Sequence, residues 1–174
     1  MTAARQERKS RRWRAILPIL PAIVAATAIS AGSGLVPTPI NAAITELIVI
    51  NPHTGLAIDG FDPVAYFVDA APEAGRTDLE FRFAGATWRF RNQGNRAAFV
   101  ADPETYMPRF GGYDPIAVAR GAGTAGHPRL WLIAQKRLYL FYSAEARAAF
   151  IANPDRAIEA AERHWPEVLR TLAP

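Results

Sequence analysis

Two aspartates in matching surroundings are the first residues that could do chemistry. Asp62 lies in the run Gly60–Ala65 and Asp114 in the run Gly112–Ala117, and each is followed by a proline and a short apolar stretch. Two carboxylates that faced one cavity could bind a hard cation or a basic ligand, or act as general acid and general base. Taken singly, the same residues are typical of Asx-turns and helix N-caps. Both interpretations stay open at the level of sequence.

A metal site is a second possibility, but its residues are scattered. His53, His127 and His164 form no local metal-binding spacing, so folding would have to gather them with Asp62 or Asp114. His127 precedes Pro128 in a glycine-rich loop, and we take His127 and Asp114 as the candidate metal ligands. The alternative is that each histidine is solvated or hydrogen-bonded and holds no metal.

Aromatic residues are frequent near the aspartates, and most occupy positions that a hydrophobic core would use. The segment from Tyr106 to Tyr113 differs, because its proline and glycines predict irregular backbone while its rings could rim a pocket. Within it, Arg109 would offer positive charge to an anion. The candidate ligand-binding residues are Asp62, Tyr66, Tyr106, Arg109, Tyr113 and Asp114.

Several classes of chemistry are excluded by composition. The chain has no cysteine, which removes disulfides, thiolate nucleophiles and iron–sulfur clusters. From residue 44 onward it has one serine, Ser143, and one lysine, Lys136. Covalent catalysis would therefore have to use a threonine, a tyrosine or a carboxylate. No nucleophile elbow, phosphate loop or dinucleotide-binding fingerprint occurs, and the sequence leaves any cofactor unknown.

The positive charge of the chain is confined to its first residues. The formal net charge is +4, but residues 1–14 carry +5 by themselves and the remainder carries −1. Without a basic surface after residue 14, the chain is not expected to bind nucleic acid. Residues 15–36 are uncharged and apolar, and small residues follow them up to Ala43. Residues 1–43 therefore predict an export signal or a membrane anchor, and both place the rest of the chain outside the cytoplasm.

An internal repeat organises the rest of the chain. The run Gly60–Ala65 recurs as Gly112–Ala117 at an offset of 52, and Arg96–Pro103 recurs as Arg147–Pro154 at an offset of 51. Two ordered matches with nearly equal offsets predict a duplication, with units at about 60–110 and 112–165.

Each unit has the pattern of a β-hairpin followed by a helix. In the first, 80–84 and 87–90 alternate around a turn at Gly85-Ala86, and Asn92 can cap a helix that ends near Ala101. In the second, 130–134 and 137–142 form the hairpin, Ser143 caps a helix over 144–152, and a further helix starts at Asn153-Pro154 and ends near Trp165. Residues 47–50 could add a leading strand and 51–55 a turn. We predict an α+β fold of two similar hairpin–helix units packed as one small domain, preceded by an N-terminal apolar helix.

Over about residues 56–168 the sequence resembles the YHS-domain family, in its exported bacterial branch. The resemblance is carried by Gly60–Phe67, Trp88–Phe90, Asn95–Phe99, Asp102–Pro108, Phe110–Tyr113, Leu138–Leu140 and Trp165-Pro166. It implies little about activity, since such proteins are generally described by the domain alone. Related short domains are suspected of binding metal through a cysteine, and that position is Asp114 here. A hard carboxylate in place of a soft thiolate should not bind the same metal.

These observations favour an exported, non-catalytic binding or accessory module for a small ligand or a metal ion. The alternatives are an interaction domain that docks on an envelope protein without a ligand pocket, and, least favoured, a carboxylate-dependent enzyme. The expected partners are an unknown small ligand or an envelope protein, with the membrane contacted only through the N-terminal segment.

Overall fold

The computed structural model describes residues 48–172, which belong to one compact unit. The predicted export signal or anchor at 1–43 lies outside the described residues, and so does the boundary at 43/44. Of the predicted leading strand at 47–50, Ile50 forms a single antiparallel bridge with Ala57. The turn that follows is present, because the Asn51 side chain accepts from the backbone N–H groups of His53 and Thr54.

The first unit is a hairpin with three helices around it. α1 spans Ala65–Val68, β1 spans Arg76–Phe83, β2 spans Ala86–Phe90, α2 spans Gln93–Ala101 and α3 spans Pro103–Tyr106. The Asn92 carboxamide oxygen accepts from Asn95 N at 2.8 Å and caps α2 as predicted. Asp102 ends α2 and caps α3, accepting from Thr105 N at 3.3 Å. The hairpin turn lies at Ala84-Gly85, one residue earlier than the predicted turn at Gly85-Ala86, because Ala86 is already paired with Phe83.

The second unit repeats this order. α4 spans Pro115–Val118, β3 spans His127–Ala134, β4 spans Arg137–Phe141, α5 spans Ala144–Ala152 and α6 spans Pro154–Leu172. Ser143 caps α5 at 3.2 Å, as predicted. α6 is longer than predicted because it continues through Pro166, and its buried residues form one apolar stripe that includes Ala161, Trp165 and Val168.

The two units share contacts as well as element order. In the first unit Arg96 Nε donates to the carbonyl of Glu80 at 3.1 Å, and in the second Arg147 Nε donates to the carbonyl of Trp131 at 2.9 Å. Both pairs are offset by 51 residues. The predicted α+β class is confirmed, with two small antiparallel sheets, β1–β2 and β3–β4.

Two hydrophobic cores lie on opposite faces of β4. Leu138 and Leu140 belong to the first core, which also contains Trp88, Phe90 and Phe99. Tyr139 and Phe141 belong to the second core, with residues of α5 and α6 such as Phe150 and Trp165. Because side chains alternate along a strand, this strand is buried on both faces.

The link between the units has the irregular backbone that its proline and glycines predict. It contains a short 3-10 turn, Arg109–Gly112, in which Phe110 and Gly111 have positive φ angles. Phe110, Gly111 and Gly112 are all buried, since the Phe110 ring enters the second core. The segment is thus largely a packed connection between the cores.

Both hairpins turn through two residues with positive φ, the type I′ geometry that suits strand twist. The angles are 51° and 78° at Ala84 and Gly85, and 48° and 60° at Gln135 and Lys136. Glycine adopts this backbone without strain, whereas other residues lose stability there. The second turn is therefore more strained than the first, because it has Lys136 at the position where the first turn has Gly85.

Replacing Lys136 by glycine should raise the free energy of unfolding by about 1 kcal/mol. The reverse change at the matched position, Gly85→Lys, should lower it by a similar amount, because nothing lies within 4 Å of a Cβ there and the effect is confined to the backbone. Chemical denaturation of both variants measures this. Equal stabilities for Lys136→Gly and the parent chain would contradict the assignment of strain to this turn.

Candidate functional site

Asp62 is fully buried, and both of its carboxylate oxygens are used within the first unit. Oδ1 accepts from Val64 N at 2.9 Å and from Ala65 N at 3.4 Å, at the start of α1. Oδ2 accepts from Arg91 N at 2.8 Å and from the Asn95 carboxamide at 2.7 Å. The carboxylate therefore ties α1 to the end of β2 and to α2.

Asp114 does the same in the second unit, with one partner fewer. Its side chain is 2% exposed; Oδ1 accepts from Ile116 N at 2.7 Å and Ala117 N at 3.4 Å, and Oδ2 accepts from Tyr142 N at 2.9 Å. The counterpart of Asn95 is Ala146, which has no side chain that could donate. These contacts fit the Asx-turn interpretation of Asp62 and the N-cap interpretation of Asp114, and among the described residues no hydrogen bond joins the two carboxylates to each other.

The candidate tyrosines Tyr66 and Tyr106 pack against other aromatic rings and do not surround a common pocket. The Tyr66 hydroxyl donates to the carbonyl of Pro128 at 2.9 Å, and its ring meets Trp131 edge-on at 5.3 Å. Tyr66 therefore links α1 to β3, across the two units. The half-buried Tyr106 ring lies edge-on to Phe67 at 5.4 Å. Burial raises the pKa of the Tyr66 phenol well above its ordinary value.

Arg109 and Tyr113 lie against α6. An Arg109 guanidinium nitrogen lies 2.7 Å from a Glu162 carboxylate oxygen, and the guanidinium group lies over the Phe110 ring at 5.3 Å. The positive charge of Arg109 is thus already paired. Tyr113 packs on Trp165 with 5.9 Å between ring centroids, and burial raises its pKa.

His127 begins β3 with its ring exposed. Its Nδ1 atom accepts from Arg129 N at 3.1 Å, so this nitrogen is occupied locally. Across residues 48–172, no three His, Cys, Asp or Glu side chains are grouped closely enough to hold a metal ion. The metal site at His127 and Asp114 stays a prediction, and the local bonds of both side chains do not favour it.

A cleft of about 180 Å³ opens where the leading segment meets both units, and we call it the junction cleft. Its walls come from Val49–Pro52, from Ile58 and Asp59 in the first unit, and from Ala125, Gly126, Pro128 and Leu140 in the second. None of the seven predicted site residues lines it. Its polar side chains are Asn51 and Asp59, joined by a 3.1 Å hydrogen bond from the Asn51 amide to Asp59 Oδ1.

Neither Asn51 nor Asp59 is a site residue predicted from the sequence, because each resembles an ordinary turn residue there. One signal could have found Asp59: its counterpart in the second unit is Gly111. The floor of the cleft also has a sequence signal in Gly126. A Cβ at this residue would lie 2.6 Å from Leu140 Cβ and 2.9 Å from the carbonyl oxygen of Gly112, so only glycine fits.

Loss of either capping carboxylate should destabilise the fold. Asp62→Ala leaves four donors without this acceptor and Asp114→Ala leaves three, so we expect losses above about 2 kcal/mol, larger for Asp62→Ala. Asp102→Ala, which removes an exposed cap, is the control and should cost about 1 kcal/mol. Urea denaturation measures all three. An Asp114→Ala chain as stable as the parent would contradict the capping role.

Stability should fall at alkaline pH. Burial raises the pKa values of Tyr66, Tyr113 and Tyr139 in the folded chain. A phenol with a raised folded pKa stabilises the fold below its unfolded pKa of about 10, and that stabilisation is lost as pH rises further. Tyr66→Phe should make the free energy of unfolding decline less steeply above about pH 10. Near pH 7 it should lower that free energy by about 1 kcal/mol, because the hydrogen bond to the Pro128 carbonyl is lost.

The control for this measurement is Tyr142→Phe, because the Tyr142 ring is exposed. It should change neither the stability near neutral pH nor its alkaline slope. Denaturation midpoints at several pH values between about 7 and 11 test this. A Tyr66→Phe chain with the parent's alkaline slope would contradict the role of Tyr66.

No protein-family model, curated protein or solved structure matches this chain. Within residues 48–172, none of the helices combines the length and the hydropathy that crossing a membrane requires. The candidate site therefore stands on its own geometry, which consists of two capping carboxylates, ring contacts between the units and the junction cleft.

Proposed function

We propose that this chain is an exported, non-catalytic binding module that holds a small ligand in the junction cleft. The observation that carries the proposal is the cleft itself, since its walls come from the leading segment and from both units. A small site lined mainly by apolar groups with a few polar atoms is the usual form of a ligand pocket. The resemblance to the YHS-domain family and the predicted export signal or anchor are consistent with this proposal and supply the expected location.

The size of the cleft limits the ligand. A water molecule accounts for about 30 Å³ of the liquid, so 180 Å³ corresponds to roughly six waters or an organic molecule of similar size. Pockets for drug-sized ligands have volumes from about 300 Å³ upward. Nucleotides, flavins and oligosaccharides are therefore too large to be enclosed, and the ligand class is a small metabolite or part of one.

A non-catalytic role is supported by how the chemically capable groups are used. Both buried carboxylates bind backbone N–H groups, and Arg109 is paired with Glu162. The cleft is lined by neither a histidine, a serine nor a lysine. General acid–base chemistry needs a titratable group within hydrogen-bond reach of the reacting atom. Among the described lining residues, Asp59 is the single one with an ionisable side chain.

The alternative of an envelope interaction domain rests on a different surface. Ile151 on α5 is 49% exposed, and its counterpart Val100 on α2 is 43% exposed. Ala148, Ala149 and Ala152 are exposed beside Ile151. A helix face of this kind, largely made of small and apolar residues, could dock on another protein without using the cleft.

Binding is tested by nuclear magnetic resonance titration of the full-length chain with propionamide, propylammonium and propionate. We expect saturable shifts of backbone amides at Val49–Asn51, Asp59 and Gly126. Ala125→Leu should lower the affinity about tenfold, because a larger side chain fills the cleft wall. Ala74→Leu is the matched control, since Ala74 is the exposed counterpart of Ala125 and does not line the cleft.

The two hypotheses give different outcomes in this titration. If none of the three probes shifts these amides, cleft binding is wrong. A partner protein that co-purifies with the chain and is lost on Ile151→Asp, but kept on Ala125→Leu, would favour the interaction domain instead. Equal affinities for the Ala125→Leu and Ala74→Leu chains would place the binding outside the cleft.

A further inference from the structure

We infer that the ligand of the junction cleft is a small organic cation, with the Asp59 carboxylate as its counter-charge. This inference rests on the proposed function, because it names the chemistry of the same site. Among the described residues that line the cleft, Asp59 alone is ionisable. A cation with an apolar body would satisfy both the carboxylate and the surrounding hydrocarbon.

The charge of Asp59 is not neutralised by the described part of the chain. Its Oδ1 atom accepts from the Asn51 amide at 3.1 Å, and within residues 48–172 it forms no ion pair. Arg129 is a cation in the same region, since both Arg129 and Asp59 influence the pKa of the Tyr66 phenol, in opposite directions. The Arg129 guanidinium lies over the Phe61 ring at 5.1 Å, where a cation–π contact holds it. The Asn51 bond orients the carboxylate and leaves its second oxygen for a ligand.

The backbone at Asp59 indicates that the carboxylate is not there for the turn. Ile58 and Asp59 have φ angles of 43° and 53°, in the left-handed region that favours glycine. The second unit forms the matching turn with Gly111 at 61°. The turn thus forms with glycine in the second unit and with aspartate in the first. The aspartate, Asp59, is the one of the two that lines the cleft. The turn itself therefore does not require a carboxylate at this position.

The walls favour an organic cation over a hydrated metal ion. Val49, Ile50, Pro52, Ile58, Pro128 and Leu140 contribute hydrocarbon to the cleft. Mg²⁺ and Ca²⁺ need six or more oxygen ligands, whereas the cleft provides the side-chain oxygens of two residues, Asn51 and Asp59. An alkylammonium group needs one carboxylate for its charge and apolar surface for its carbon atoms.

The test compares probes of nearly equal size and different charge on the full-length chain. Propylammonium should bind about tenfold more tightly than propionamide, and propionate should bind more weakly than both. Asp59→Asn keeps the side-chain shape and should remove the preference for propylammonium. Glu167→Gln removes one negative charge from the exposed face of α6 and should leave every affinity unchanged.

Asp59→Gly separates binding from folding. Glycine relieves the left-handed backbone, so this chain should be at least as stable to heat as the parent while it loses the preference for propylammonium. Equal affinities for propylammonium and propionamide, unaffected by Asp59→Asn, would overturn the inference that the ligand is a cation. The proposal that the cleft binds a ligand would stand. Shifts produced equally by potassium ions would also overturn it, in favour of a metal ion. A chain that binds none of the probes fails at the proposed function itself.

Discussion

The burial of β4 on both faces is the constraint on which the rest of the structure depends. A strand of five residues, Arg137–Phe141, sends Leu138 and Leu140 into one core and Tyr139 and Phe141 into the other. Such a strand exposes no side of its own to water, so both cores must form around it. The first unit, the second unit and the connection at Phe110 are therefore held in one arrangement. The junction cleft depends on the same packing, because Leu140 forms part of its wall.

The two buried aspartates show how a repeated sequence can resemble a catalytic pair and be structural. A buried carboxylate is costly unless hydrogen bonds compensate for the lost water. Asp62 receives four such bonds and Asp114 three, mostly from backbone N–H groups at the start of a short helix and at the end of a hairpin. Each aspartate closes its own unit. The same fold-stabilising contact is therefore present in both units, and the ligand site that we propose lies where the two units differ.

The parts of the fold that could be predicted are those set by short-range rules. The caps at Asn92 and Ser143, the paired hairpins and the α+β class all follow from residues within a few positions of one another. The full length of α6 was not foreseen, since Pro166 and the polar residues around it predict an earlier end. It is stabilised by the packing of Trp165 and Val168 on the second core, a tertiary effect.

The candidate site was harder to predict, for a physical reason. The cleft joins segments near residues 50, 58, 126 and 140, and most of its lining is apolar or small, so no local pattern marks it. The bond from Tyr66 to Pro128 likewise spans 62 residues. Sequence patterns select residues with conspicuous chemistry, such as Asp62 and Asp114, which the fold uses internally. Asp59 is recognised as a candidate only when it is compared with its counterpart Gly111 and when the structure places it in a cleft.

The glycine at the floor of the cleft has a consequence for how such a site could diversify. Gly126 lies against Leu140 and the carbonyl of Gly112, so the floor accepts no side chain. Asp59 and Ala125 are exposed, so substitutions at these two rim positions disturb few neighbours, whereas the Asn51 side chain also holds the turn at His53 and Thr54. For the ligand site that we propose, preference can then change at two rim positions, Asp59 and Ala125, without altering either core. Proteins built on this scaffold could exchange ligands by single substitutions at the rim, while the steric constraint at Gly126 keeps the floor of the cleft in place.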